Sequence, residues 1–248
     1  MRLFSWPAGT PVIPFSKIDP VALNIQTFKT RALTAIVFAL VMLTGLLTNG
    51  YLYTLLFIII LAGSTWEFIR LQKMISAGGK NVSLIAGLLY SIVPFVLMID
   101  LGTAFFRNGD LGSYKPDIPC VLIFSIWIND TMAYIVGSFI GKTPFSKISP
   151  KKTWEGTVGG AILCIVVITA LSVVVQTDLT TADVGIIATL AAVFGTIGDL
   201  LESKLKRMAG VKDSGNLMPG HGGFLDRFDS LMLAAPVVWL YARFFINA

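Results

Sequence analysis

The stretch 32–66 contains no Asp, Glu, Lys or Arg, and this feature constrains the fold more than any other. Such a run accommodates two apolar helices of ~20 residues each, the length needed to cross a bilayer. Asn49 and Gly50 form a tight turn between the two helices. Charged residues make up 13% of the chain, against about 25% in ordinary globular proteins. The composition therefore excludes a soluble domain and indicates a membrane protein.

Apolar segments separated by polar connections continue along the rest of the chain. They predict an all-α integral membrane protein, a polytopic bundle of about seven (7–9) transmembrane helices. A polar connection is expected over 70–81, and residues 29–248 are expected to form one membrane catalytic domain. The predicted spans are 32–48, 51–68, 82–101, 118–140, 157–176, 184–200 and 228–245.

Residues 1–28 precede the first span and contain four prolines, which exclude a long helix. An arm lying at the membrane interface and an unstructured terminus are both compatible with this segment. No compact apolar run follows a basic start, so we expect no cleavable signal peptide.

Basic residues cluster before the first span and after the second, fourth and sixth spans, whereas the connection 177–183 carries only aspartates as charged residues. Cytoplasmic loops collect Lys and Arg. The formal net charge of +5 fits contact with anionic headgroups and phosphates, and we expect no nucleic-acid partner. The parts predicted to face the cytoplasm are the N-terminus, 70–81, 141–156 and 199–229.

The stretch 198–229 holds five acidic residues, five basic residues and the single histidine, His221. Carboxylates suit a hard cation such as Mg²⁺, whereas lysines, arginines and N–H groups exposed by glycine suit phosphates. Both together predict a metal–phosphate site. A solvated cytoplasmic loop is the alternative, but it does not account for the carboxylates among the bases. The charged residues are Asp199, Glu202, Asp213, Asp226, Asp229, Lys204, Lys206, Arg207, Lys212 and Arg227.

Helical spacing places Asp199, Glu202, Ser203 and Lys206 on one face, because they stand at positions i, i+3, i+4 and i+7. Such a face lines a cavity or forms a stripe that reaches water at the membrane end.

Asp226 and Asp229 are three residues apart, and both would face one cation if a helix begins there. A helix N-terminus also favours acidic residues without any metal. His221 stands before Gly222 and Gly223, and either contacts a ligand or satisfies a loop hydrogen bond.

Asp130 lies inside the predicted fourth span, next to Asn129. A charge there costs ~2.5–3.5 kcal/mol on insertion scales, so its side chain should face a polar cavity or a hydrogen bond between helices. The connection 141–156 adds Lys151 and Lys152, which the bias of cytoplasmic loops also explains. We predict a polar cavity on the cytoplasmic side, lined by Asp130, Asp199, Glu202 and Asp226.

The run S-K-L-K-R-M-A-G-V-K-D-S-G-N-L-M-P-G-H-G-G-F-L-D-R-F-D, residues 203–229, resembles the signature of the phosphatidate cytidylyltransferase (CDP-diacylglycerol synthase) family. Met218 departs from the signature where a branched aliphatic residue or Phe is usual. The runs S-P-K-K-T-W-E-G at 149–156 and N-D-T-M-A-Y at 129–134 also resemble family features. The resemblance extends from Phe28 to the C-terminus.

This resemblance implies a multi-pass enzyme of the inner (plasma) membrane, often a homodimer, with its active site facing the cytoplasm. It implies that CTP and phosphatidate become CDP-diacylglycerol and pyrophosphate with Mg²⁺, and it is compatible with a second cation such as K⁺. The second pKa of a phosphate monoester is ~6, so phosphatidate is already largely a dianion at neutral pH. The reaction then needs neither a serine or cysteine nucleophile nor a general base to activate one.

The resemblance and the residue pattern together assign three roles. The metal-binding candidates are Asp130, Asp199, Asp226 and Asp229, of which Asp199 and Asp226 fall where the family's metal-binding carboxylates lie. The catalytic candidates are Asp199, Asp226, Lys206 and Arg227. The substrate-binding candidates are Lys151, Lys152, Ser203, Arg207, Lys212, Asp213, His221, Gly222 and Gly223.

Two alternative functions remain open at this point. An ion-coupled transporter also carries intramembrane acids and broken helices, but it does not explain why the charges and glycines concentrate in one stretch. A CTP-dependent lipid kinase or an ether-lipid cytidylyltransferase of the same fold would use the same site for another bond or another lipid.

Overall fold

The computed structural model describes residues 25–80, 82–146, 148–175, 177–215 and 222–246. Within these ranges the backbone forms nine α-helices. Most of the predicted arm over 1–28 lies outside the described residues. The helices are α1 (Ile25–Leu47), α2 (Gly50–Ala77), α3 (Leu84–Thr103), α4 (Phe105–Asn108), α5 (Asp117–Ile140), α6 (Trp154–Val174), α7 (Thr181–Met208), α8 (Leu225–Phe228) and α9 (Leu231–Phe245).

Five of the helices in the described part are long and apolar enough to cross a membrane, namely α2, α3, α5, α6 and α7. Helix α9 and the apolar part of α1, Ala32–Leu47, are shorter apolar helices. Each predicted span coincides with one of these helices. The prediction of an all-α membrane protein is confirmed.

Helix α2 continues to Ala77, so the predicted polar connection over 70–81 is wrong for most of its length. Leu71 and Ile75 are buried and stand four residues apart, so they extend the apolar face of the helix beyond the membrane-like segment. Lys73, which stands between them, is exposed. The polar residues after position 70 therefore do not mark the end of α2.

Helix α7 occupies a central place in the bundle. It packs against α5, α6 and α9, and it also contacts α2. Large buried side chains such as Tyr53, Phe57 and Phe95 fill the space between the helices. The short helix α8 contacts α2 and buries Leu225 and Phe228. This arrangement places the C-terminal part of α7 and the beginning of α8 against the interior of the bundle.

Helices α5 and α6 approach each other closely at Gly160. A Cβ atom added at Gly160 would lie 2.6 Å from the backbone N and Cα atoms of Ala133. Small residues at such crossings are typical of membrane bundles, because they let two backbones come together. Helices α5 and α6 therefore form one closely packed pair.

We expect Gly160→Ala to lower the free energy of unfolding by about 1–3 kcal/mol, because the added methyl group forces the helices apart. Gly185→Ala is the matched control, since its Cβ would meet only the Thr169 hydroxyl at 3.5 Å. Titration with SDS in mixed micelles, followed by circular dichroism, measures both. Equal stability of the two variants would contradict the close packing of α5 on α6.

Candidate active site

The polar face predicted on α7 is present in the structure. Asp199, Glu202, Ser203 and Lys206 all lie within this helix. Glu202, Ser203 and Lys206 are buried, whereas Lys204, on another face, is exposed. The polar face therefore points into the bundle and not into open water.

Asp199, Glu202 and Asp229 form a compact group of carboxylates. Each offers one oxygen atom, and these atoms lie within 4.8 Å of one another. Glu202 is buried, and its Oε1 atom has no hydrogen-bond partner among the described residues. Negative charges this close destabilise one another unless a cation lies between them. Because all the donors are oxygens, the group fits a hard divalent cation such as Mg²⁺.

Lys206 is a buried cation beside this group. Its ammonium nitrogen lies 2.6 Å from Glu202 Oε2 and 2.6 Å from Asp226 Oδ1. One positive charge is thus shared by two carboxylates in a region with little access to water. Removing one member of such a set leaves an uncompensated buried charge.

Asp226 is held by a different set of contacts. Its Oδ2 atom accepts hydrogen bonds from the backbone N–H groups of Ser214 and Gly223, both at 2.8 Å. The Ser214 hydroxyl lies 2.9 Å from the same atom. Burial alone would raise the pKa of Asp226, but these hydrogen bonds and the charge of Lys206 outweigh it and hold the pKa below its ordinary value. Asp226 is therefore an ionised anchor whose oxygens are occupied by protein donors.

The turn before Asp226 depends on Gly222, which has a φ of 80°. A Cβ atom there would also overlap with the Asp226 carboxylate. The N–H of the next residue, Gly223, is the one that donates to Asp226. Both glycines therefore shape the loop around this carboxylate. His221 lies outside the described residues, so its predicted role stays a prediction.

The connection between α5 and α6 brings Lys152 to the same place. Its ammonium pairs with Asp199, which also accepts a hydrogen bond of 3.3 Å from the Ser203 hydroxyl. Glu155 shapes this connection by accepting hydrogen bonds from the N–H groups of Lys142 and Thr143. The two polar stretches that the sequence predicted on one membrane face thus meet at Asp199.

Asp130 is exposed on α5. The charges of Lys152 and Asp199 are near enough to act on it. The predicted choice between a polar cavity and a hydrogen bond between helices stays open for Asp130. Asp130 is not a member of the compact group formed by Asp199, Glu202 and Asp229, and its predicted role as a metal ligand stays a prediction.

The remaining predicted site residues lie toward the surface. Arg207 is exposed and donates a hydrogen bond of 3.0 Å to the carbonyl oxygen of Val211. The others in the described part make no ion pair there. They are Lys151, Lys212, Asp213 and Arg227, all of them exposed.

Two carboxylates at the site were not assigned these roles by the sequence. Glu202 was predicted to line the cavity, and the structure places it within the compact group. Glu67 on α2 was not singled out at all. It is 2% exposed and accepts hydrogen bonds from the N–H groups of Phe224 and Leu225, both at 3.0 Å. The signal in the sequence was an acid inside a predicted membrane span, which usually marks a functional residue.

Comparison with known proteins decides the family. A profile described as "Cytidylyltransferase family" matches residues 116–245, which is more than half of the chain. The chain belongs to the cytidylyltransferase family. The matched part runs from α5 through α9 and contains the carboxylate group, Lys152 and Asp226. Glu67 lies outside it.

Curated relatives of this chain carry the name phosphatidate cytidylyltransferase. The protein of Bacillus subtilis is 43% identical over 127 residues, which are 51% of this chain and 46% of the relative. The protein of Staphylococcus saprophyticus is 46% identical over 114 residues, or 46% of this chain and 44% of the relative. The protein of Aquifex aeolicus is 43% identical over 121 residues, or 48% and 45%. The chain spans about half the length of the curated relatives it matches.

We expect Lys206→Met to lower the free energy of unfolding by about 3–5 kcal/mol, because it leaves Glu202 and Asp226 buried without their shared cation. Lys204→Met removes an exposed ammonium from the same helix and should change stability by less than about 0.5 kcal/mol. SDS titration of the two purified variants provides the comparison. A Lys206→Met protein as stable as the control would show that the buried ion pairs do not hold the site together.

Proposed function

We propose that this protein is a phosphatidate cytidylyltransferase, which converts CTP and phosphatidate into CDP-diacylglycerol and pyrophosphate. The observation that carries the proposal is the meeting of the Asp199–Glu202–Asp229 carboxylate group with Lys152 at one end of a membrane helix. The names of the curated relatives support the choice of substrates.

In this proposal Asp199, Glu202 and Asp229 hold a Mg²⁺ ion. When bound, the ion neutralises charge on the nucleotide phosphates and polarises the reacting phosphoryl group. The buried, unpartnered Oε1 atom of Glu202 supports this assignment. Asp226 was also predicted as a ligand, but its oxygens are engaged by Lys206, Ser214 and Gly223. We propose that Asp226 acts by holding Lys206 and the loop in place. Asp130 supplies a further carboxylate for a second cation such as K⁺.

The lipid phosphate is the nucleophile in this reaction. As a dianion at neutral pH it attacks the α-phosphorus of CTP, the bond to the β-phosphate oxygen breaks, and pyrophosphate leaves. The chain therefore has to bring two polyanions together and stabilise the charge that develops on the leaving group. In this proposal Lys152 and Arg227 stabilise that charge, and Lys151, Arg207 and Lys212 provide further phosphate contacts.

The position of the site in the membrane suits a soluble and a lipid substrate. The bias of Lys and Arg toward cytoplasmic loops supports a multi-pass protein of the inner (plasma) membrane whose active site faces the cytoplasm. CTP would arrive from water, and phosphatidate would enter sideways from the bilayer. The homodimer implied by the family resemblance stays a prediction.

The reaction is tested with two forms of labelled CTP and phosphatidate in detergent micelles. Label at the α-phosphate should enter the lipid, and label at the γ-phosphate should appear in pyrophosphate. Transfer of the γ-label to the lipid would instead identify a CTP-dependent kinase. Reaction only with an ether-lipid phosphate would change the acceptor. If neither label leaves CTP, the transporter becomes the favoured function.

We expect Asp199→Asn, Asp226→Asn and Asp229→Asn each to lower turnover by about 100-fold or more. In this proposal Asp199 and Asp229 hold the cation that stabilises the reacting phosphates, and Asp226 holds Lys206 in place. Asp178→Asn, on the opposite side of the bundle, should keep wild-type activity. Initial rates at saturating CTP and Mg²⁺ provide the measurement, and circular dichroism checks that each variant is folded. A wild-type rate for Asp199→Asn or Asp229→Asn would contradict the shared cation site.

A further inference from the structure

We propose that Glu67, far from the signature stretch in sequence, is the positioning residue that fixes the loop before Asp226. The described residues of this loop are 214–215 and 222–225. The proposal rests on the proposed function, because the loop matters only if Asp226 serves the reaction. Three donors of the loop surround this one carboxylate. The N–H groups of Phe224 and Leu225 bond to it at 3.0 Å, and the Ser214 hydroxyl bonds to it at 2.6 Å.

The surface of α2 is shaped to receive this loop. Gly63 and Glu67 stand four residues apart, so they lie on the same face of the helix. The Phe224 ring occupies the space where a side chain at Gly63 would be. One turn later, Glu67 meets the backbone of the same segment. The contact is therefore apolar at one point and hydrogen-bonded at the next, which fixes both the position and the orientation of residues 223–225.

The Glu67 carboxylate explains why two positions of the loop are occupied by glycine. A Cβ atom added at Gly223 would overlap with both of its oxygens, and one added at Gly215 would overlap with Oε1. At Gly223 the three nearest atoms all belong to Glu67. Only a residue without a side chain lets the loop backbone approach so closely.

Glu67 is linked to the carboxylate group by a continuous set of contacts. The Ser214 hydroxyl lies between Glu67 Oε2 and Asp226 Oδ2. Asp226 pairs with Lys206, and Lys206 pairs with Glu202. Glu67 itself has its hydrogen bonds satisfied by the loop and is not a member of the compact group. Its role is therefore to position Asp226 and not to touch the substrates.

Hydrogen exchange tests the contact without any substrate. In the detergent-solubilised full chain, Glu67→Ala should make the amides of Phe224 and Leu225 exchange about tenfold faster or more, because buried N–H groups lose their acceptor. Glu67→Gln keeps one carbonyl oxygen and should give a smaller increase. Ser64→Ala, a buried change one turn earlier on α2, should leave these amides unchanged. Unchanged exchange in Glu67→Ala, or faster exchange throughout the protein, would overturn the proposal.

Turnover tests the consequence. Glu67→Ala should lower kcat by roughly 10–100-fold, because a displaced Asp226 no longer holds Lys206 in place, and the apparent KM for CTP should change little. Glu67→Gln should recover part of the loss, and Ser64→Ala should behave as wild type. Wild-type kcat in a Glu67→Ala protein whose loop exchanges faster would overturn the role in catalysis.

A double-mutant cycle with Gly223→Ala separates this contact from general damage. The single Gly223→Ala change should slow turnover by pushing the loop off Glu67, and the double variant should be no worse than Glu67→Ala alone. Additive effects would overturn the proposal. If wild-type protein transfers no label from CTP while the exchange results hold, the proposed reaction fails and the Glu67 contact stands.

Discussion

The site depends on the two ion pairs that one buried lysine makes. Lys206 lies between Glu202 and Asp226, within 2.6 Å of each, and thereby joins α7 to α8. Without this shared cation, two carboxylates would face each other in a region of low polarity, where the energy of an unpaired charge is high. The position of Lys206 therefore decides where the neighbouring carboxylates can be.

The carboxylates of the site divide into two kinds by their partners. Asp226 is surrounded by protein donors, which keep it ionised and fix its geometry. Glu202 has one oxygen without a partner among the described residues, and it shares a small space with Asp199 and Asp229. The first kind builds the site, and the second kind is suited to a cation. The carboxylates of the signature stretch thus have two physical tasks, building the site and offering oxygens to a cation. Their residue types alone do not show which carboxylate has which task.

Local rules predicted the helices and one face of the site. The uncharged stretch 32–66 predicted two spans, and the spacing of Asp199, Glu202 and Lys206 predicted the polar face of α7, which the structure confirms. Both patterns arise within one helix, where the period of the backbone fixes which residues are neighbours. The end of α2 was misplaced because its burial depends on the helices around it.

Long-range contacts could not be obtained from those rules. The pair between Lys152 and Asp199 joins the α5–α6 connection to α7, and these two parts are close only after α5, α6 and α7 have packed together. Glu67 meets Leu225 across 158 positions of the chain, and no spacing rule links them. The orientation of the loop also decides that Asp229, and not Asp226, joins Asp199 and Glu202. Only the rule that an acid inside a membrane span marks a function pointed toward Glu67.

The most direct test of the account is the location of a divalent cation in crystals of the full chain soaked with Mn²⁺. Anomalous scattering identifies the ion independently of turnover. The account predicts a peak within coordination distance of the carboxylates of Asp199, Glu202 and Asp229, and its loss in Asp229→Asn. A peak at Asp226 with Lys206 displaced, or Mn²⁺ bound away from all four carboxylates, would contradict the division of roles on which the account depends.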